Sequence, residues 1–140
     1  MRVKLREIAE SSHLDPRQAV LSAVGDYSGI EVFHNLVLVA TYVEPEKTKS
    51  GIYLPDRSQE EARFQGKSHL VLKTGPLAFK DDGLAKFGGV NIREGDWVLI
   101  RPSDALEFFL VDDTGTAGAS CRLVEDICIK CRVSRPDLIY

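Results

Sequence analysis

Six short runs rich in β-branched and aromatic residues, each closed by turn chemistry, constrain this chain more than any other feature. They cover residues 32–43, 68–73, 96–101, 106–111, 120–124 and 127–133. Glu94-Gly95 precedes the third run and Pro102 follows it, while 112–115 and Glu125-Asp126 punctuate the later ones. No strand–helix–strand alternation occurs, so a nucleotide-binding α/β fold is excluded. Six short strands with polar turns argue for a mostly β fold, a small β-barrel. Period-2 alternation puts Trp97 and Leu99 on the face opposite Val98 and Ile100, with Trp97 in core or subunit-contact packing.

Ahead of the strands, residues 1–32 form an N-terminal extension containing one short helix. Asp15 caps it, Pro16 fits its first turn, and Gln18 stands at the capping-box position. Ala19, Val20, Ala23 and Val24 recur at helical spacing, and Gly25 closes the helix in a left-handed conformation. A helix this short is marginal alone in water, so it must lean on the β domain or on a partner.

The chain has 140 residues, 44% of them hydrophobic and 28% charged, with a net charge of −3. That length suits one core. Mild acidity gives no general attraction to nucleic acid or anionic lipid, so neither is expected as a partner. No apolar run is long enough to span a bilayer, and the N-terminus lacks the apolar heart of a signal peptide. With three cysteines, this points to a reducing compartment and a cytoplasmic address.

Residues 33–55 place a strand, a charged loop and an isolated apolar tripeptide in succession. The loop, residues 44–67, alternates charge sign and so stays solvated. A polar loop of this length carrying Ile52, Tyr53 and Leu54 reads as a docking element, with Gly51 permitting the turn that presents the triplet. The plainer alternative is a short strand folded onto the barrel and ended by Pro55. Burying Ile52 and Leu54 contributes roughly 1.5–3 kcal/mol per side chain. Fixing each loop residue costs about 1–2 kcal/mol. One loop therefore binds weakly, and useful affinity needs several copies acting together.

The order of these pieces resembles the chaperonin-10 family of co-chaperonins. The resemblance rests on the strand and loop with Gly51-Ile52-Tyr53-Leu54, on Pro55-Asp56, on the strand ending at Gly75-Pro76, on IREGDWVLI at 92–100, and on CRLVEDICIKCRV at 121–133. It covers residues 33–133, leaving the extension and a tail at 134–140 outside. Residues 77–90 depart from the cellular pattern, and in this the chain is similar to the chaperonin-10-like proteins of tailed phages. The resemblance implies a chaperonin-10-like barrel that caps a chaperonin ring through Gly51, Ile52, Tyr53 and Leu54 and so assists folding. It also implies a homo-oligomer in which segments 33–39 and 127–133 of adjacent subunits pair. The alternative is a virion protein, a capsid decoration or head component, that keeps the barrel and grips a capsid lattice through its extension.

Other chemistry is thin. Cys128 and Cys131 have C-x-x-C spacing with Cys121 nearby, and His69 or His34 could complete a zinc site. Strand residues three apart point to opposite faces, however, so no metal and no cofactor is expected and free thiols are the better reading. His13, His34 and His69 are scattered, and the resemblance already supplies a structural histidine at His34. No nucleophile elbow, P-loop or zinc-protease pattern occurs. Asp81-Asp82 and Asp112-Asp113 read as turns. The chain is therefore read as a binding protein, not an enzyme. The tail ends in Leu138, Ile139 and Tyr140, a docking tag or a subunit contact.

Overall fold

The computed structural model describes residues 15–42, 68–81 and 87–138. Helix α1 (Pro16–Val24) leads into six strands, β1 (Leu36–Thr41), β2 (Ser68–Thr74), β3 (Trp97–Leu99), β4 (Leu106–Val111), β5 (Ala117–Glu125) and β6 (Cys131–Val133). All neighbours pair antiparallel in one sheet of order β4-β5-β1-β2-β3-β6.

The helix starts and stops where its sequence dictates. The Asp15 carboxylate accepts the Arg17 N–H, Pro16 occupies the first turn, and the Gly25 N–H returns to the Leu21 carbonyl. Gly25 has φ 93° and ψ −157°, a positive φ as expected but not the compact left-handed helical turn.

Both faces of the sheet are buried, each by a different device. One face carries Val37, Val39, Val71, Val98, Ile100 and Val124, which join Ala78 and Ile92 in a single cluster. Val124 on β5 and Val98 on β3 belong to strands three positions apart, so the sheet curls until this face becomes the interior of a barrel. The opposite face carries Leu38, Ala40, Leu70, Leu72, Trp97, Ala119 and Cys121, and α1 lies on it with Ala19, Val20, Ala23 and Val24. Trp97 and Val98 thus face opposite ways as the alternation requires, and Trp97 is core.

Close packing of α1 depends on Gly118. A β-carbon there would stand 2.5 Å from the Val24 carbonyl oxygen and 2.7 Å from that of Ala23, so only glycine lets the helix settle on β5. The link from helix to barrel is tied by the Lys73 ammonium, which donates to the Ile30 carbonyl (2.6 Å) and lies over the Tyr27 ring (5.8 Å). The Arg17 guanidinium donates to the Gly95 carbonyl at the other end of the helix.

Five strands differ in extent from the expected runs: β2 is one residue longer, ending at Thr74, and β3 is confined to Trp97–Leu99. β1 begins at Leu36, four residues later than expected, because His34 takes φ 56° and turns the chain. β5 is longer at its start, running from Ala117. β6 shrinks to Cys131–Val133 because Asp126–Cys128 winds into a 3-10 turn.

Candidate functional site

The docking tripeptide and its glycine, Gly51, Ile52, Tyr53 and Leu54, lie outside the described residues. Their anchor points do not. Thr41 at the end of β1 pairs with His69 near the start of β2, and the Tyr42 N–H donates to the Ser68 carbonyl (3.0 Å). Tyr42 and Ser68, which flank residues 43–67, therefore stand side by side at this end of the barrel. The Ser68 hydroxyl also donates to the Pro136 carbonyl (3.0 Å), which fastens the start of β2 to the tail. Pro136 is buried and Leu138 is exposed; Ile139 and Tyr140 lie outside the described residues.

At this end the barrel interior changes from aliphatic to polar. Thr41, His69, Ser120 and Arg122 are buried on the same face as Val39, Val71 and Val124. The Arg122 guanidinium donates to Glu107 (3.0 Å) and to Nε2 of His69 (2.8 Å). Arginine has no acceptor, so Nε2 must supply the lone pair, leaving His69 neutral with its proton on Nδ1. The Ser120 hydroxyl donates to the same Glu107 oxygen (2.7 Å) and accepts from Thr41 (3.3 Å). By sequence alone, His69 stands out only as a conceivable metal ligand. The phase of the strands, with Thr41 two beyond Val39 and Arg122 two before Val124, was the available signal.

A second junction lies at the other end of the strands. The Asp126 carboxylate, buried, accepts from the Asn35 amide (3.1 Å) and from the Phe79 N–H (2.9 Å). Gly75 packs against the Phe33 and His34 carbonyls, where a β-carbon would come within 2.3 Å of the latter. This junction holds the start of β1, the turn after β2 and the 3-10 turn together. Around it stand three exposed apolar side chains, Phe33, Leu77 and Ile127, each more than half accessible.

The paired acids behave as turn formers where they are described. Asp112 accepts from the Thr114 and Thr116 N–H groups and the Thr114 hydroxyl, and Asp81 accepts the Phe87 N–H; Asp82 lies outside the described residues. Hydrogen bonds from the Ser28 hydroxyl and N–H hold the Asp26 carboxyl below its ordinary value. His34 is exposed and serves through its backbone; His13 lies outside the described residues.

The cysteines separate, though for a reason other than strand alternation. Cys128 sits half-buried in the 3-10 turn, Cys131 is exposed on β6, and Cys121 is buried under α1. Burial pushes the Cys121 thiol up to about 12. Burial, with nearby Asp104 and Glu125, also raises that of Cys128. Among the described residues no three metal-ligating side chains come together. No described helix is long and apolar enough to cross a membrane.

Pairing between copies through 33–39 meets an obstacle. Leu36–Thr41 is already bonded on both sides, to β2 and to β5, which among the described residues leaves 33–35 and the outer sides of the two edge strands, β4 and β6, outside the chain's own ladders.

Comparison with known proteins agrees with this geometry. The family model described as "Chaperonin 10 Kd subunit" matches residues 29–117, beginning just after α1 and ending as β5 starts. The closing segment 121–133 therefore lies beyond the match. The mitochondrial 10 kDa chaperonin of Arabidopsis thaliana is 38% identical over 66 residues, 47% of this chain and 60% of that protein's length. The co-chaperonin GroES of Syntrophomonas wolfei is 35% identical over 80 residues, 46% of this chain and 79% of that protein. With most of its barrel inside the family match, the chain belongs to the chaperonin-10 family.

Proposed function

We propose that the chain is a co-chaperonin, which docks reversibly on a chaperonin ring through Ile52, Tyr53 and Leu54 and works by binding, without chemistry of its own, in the cytoplasm. The observation that carries this reading is the family match itself, which spans β1, β2 and the segment between them. The geometry supports it, because Tyr42 and Ser68, which flank residues 43–67, are held side by side at one end of the barrel. Since one loop binds weakly, the functional unit is an assembly of several copies. Its contacts fall on the pole with Phe33, Leu77 and Ile127 and on the edge beside β6.

The rival reading, a phage virion component, relied on the extension to grip a lattice. Within that extension Ala19, Val20, Ala23 and Val24 pack onto the chain's own sheet, so the apolar stripe of α1 is already used inside the chain. The deciding experiment mixes the purified chain with a chaperonin ring and ATP or ADP and measures co-sedimentation. Reversible, nucleotide-dependent binding is expected. Failure to bind, together with recovery of the chain at fixed copy number in phage particles, would establish the virion role.

A further inference from the structure

The polar end of the barrel interior does something its aliphatic remainder cannot. Val37, Val39, Val71, Val98 and Val124 are the same side chain repeated and the opposite face is apolar too, so apolar patterning alone distinguishes neighbouring registers weakly. The β1–β2 ladder is also interrupted. Leu38 pairs with Lys73 while Val39 pairs with Val71, so a bulge at Leu72 uncouples the rungs near Thr41 from those below. A similar shift falls between Phe109 and Val111 on β4. Register at the Thr41 end must therefore be fixed locally.

Directional bonds supply that fix. Glu107 on β4, Ser120 and Arg122 on β5, Thr41 on β1 and His69 on β2 form one belt across four adjacent strands. A one-residue slip would turn each of these groups to the opposite face and break every bond. A buried arginine is a poor way simply to fill space, since well-packed apolar residues do so at equal or lower free energy. We propose that this belt is a positioning device, with Arg122 as its central residue, that clamps Tyr42 and Ser68 in register and so fixes the two points between which the docking segment is attached. The idea rests on the co-chaperonin reading for its purpose, but not for its structural content.

The test uses the full chain carrying Arg122→Met, with Thr41→Val as a milder variant that removes one bond and keeps its shape. Hydrogen exchange is read at the Tyr42 amide, on the last rung, and at the Val71 amide, which donates to the Asp96 carbonyl below the belt. Affinity for a chaperonin ring with nucleotide is measured in parallel. The expected result is a loss of Tyr42 protection and of ring affinity by about tenfold or more in each case, with Val71 protection changed far less; the melting temperature of Arg122→Met falls, because it removes the buried partner of the Arg122–Glu107 pair. Thr41→Val should move the same two quantities less, and it carries the comparison if Arg122→Met does not fold. Unchanged Tyr42 exchange would overturn the clamp, as would joint opening of Tyr42 and Val71, which would make the belt ordinary core. An opened rung with wild-type ring affinity would refute the positioning role. If the unaltered chain binds no ring, the co-chaperonin reading fails, and the exchange data still decide the clamp.

Discussion

Replacing Gly118 by alanine adds one methyl group where the helix and the sheet touch most closely. The new carbon would lie 2.5 Å and 2.7 Å from the carbonyl oxygens of Val24 and Ala23, which are backbone atoms and cannot rotate aside. Either α1 shifts by several tenths of an ångström or it leaves the sheet. Leaving would expose Val20 and Val24, each about 1% accessible, and forfeit roughly 1.5–3 kcal/mol for each. The nine-residue helix would then melt, being too short to stand alone. Overpacking by a shift costs about 1–3 kcal/mol, so the shift wins. For a chain of this size that lowers the melting temperature by about 3–12 °C. Gly118 has no positive φ, so alanine brings no backbone strain of its own and the whole effect is steric.

Trp97, the single tryptophan, is buried in the same cluster as α1 and reports the transition by fluorescence. Gly29→Ala serves as the control, since a carbon there meets nothing within 4 Å and the φ is unexceptional. It should melt within about 0.5 kcal/mol of wild type. If Gly118→Ala melts with Gly29→Ala and with the unaltered chain, the helix is not seated on β5 and the two-sided packing of the sheet is wrong.

Three further outcomes are expected. Deleting residues 1–30 should leave an aggregating or unfolded product, because the burial lost at Val20 and Val24 alone, about 3–6 kcal/mol, is a large part of a typical domain's stability; a soluble, cooperatively melting product would contradict this. Ile52→Ser with Leu54→Ser should abolish ring binding while melting with the wild type, and a lowered melting temperature would mean the triplet is core. Cys131 should react first with an aromatic disulfide reagent, Cys128 more slowly, and Cys121 only on unfolding. Because the Cys121 thiol ionises near 9.0 in its ordinary state and near 12 when folded, the unfolded chain releases its proton first. Stability should therefore fall as pH rises through that window, and Cys121→Ser should flatten the dependence.

Local chemistry was legible and tertiary constraint was not. Asp15, Pro16 and Gly25 announced the helix, and β4 matched residue for residue, because caps and alternation act within a few positions. The start of β1 was misjudged because His34 is turned by its contact with Gly75, a residue far along the chain. Where α1 would sit was also hidden. Its apolar stripe said only that it must lean on something, and the receiving site depends on Gly118 between two alanines, a small-residue step with no local signature. The polar belt was written in the sequence, since Thr41, His69, Ser120 and Arg122 share the phase of the interior valines. Alternation alone could have exposed it. The docking tripeptide remains a proposal founded on family order and on the anchoring of Tyr42 and Ser68, which flank residues 43–67.

The two-sided burial also limits where copies of the chain can meet. A barrel whose outer face were bare could pair or pack through β1, but here that face is sealed by α1 and both edges of β1 are bonded within the chain. Besides the outer side of β4 with Leu106 and Val111, the described fold leaves open Phe33, Leu77 and Ile127 around the Asp126 junction and the outer side of β6. The junction and β6 lie close together, because Ile127 follows Asp126 directly and residues 127–130 run into β6. Asp126→Asn keeps the shape of the junction but exchanges a carboxylate oxygen that accepts from Asn35 or Phe79 for an amide that donates. It should loosen the pole by about 1–3 kcal/mol, the typical penalty for a buried hydrogen bond left unmet. If assembly runs through this pole, sedimentation should show the variant dissociating at concentrations where the wild type stays associated, while Trp97 fluorescence, on the other face, is unchanged. Full association of Asp126→Asn would place the contact elsewhere.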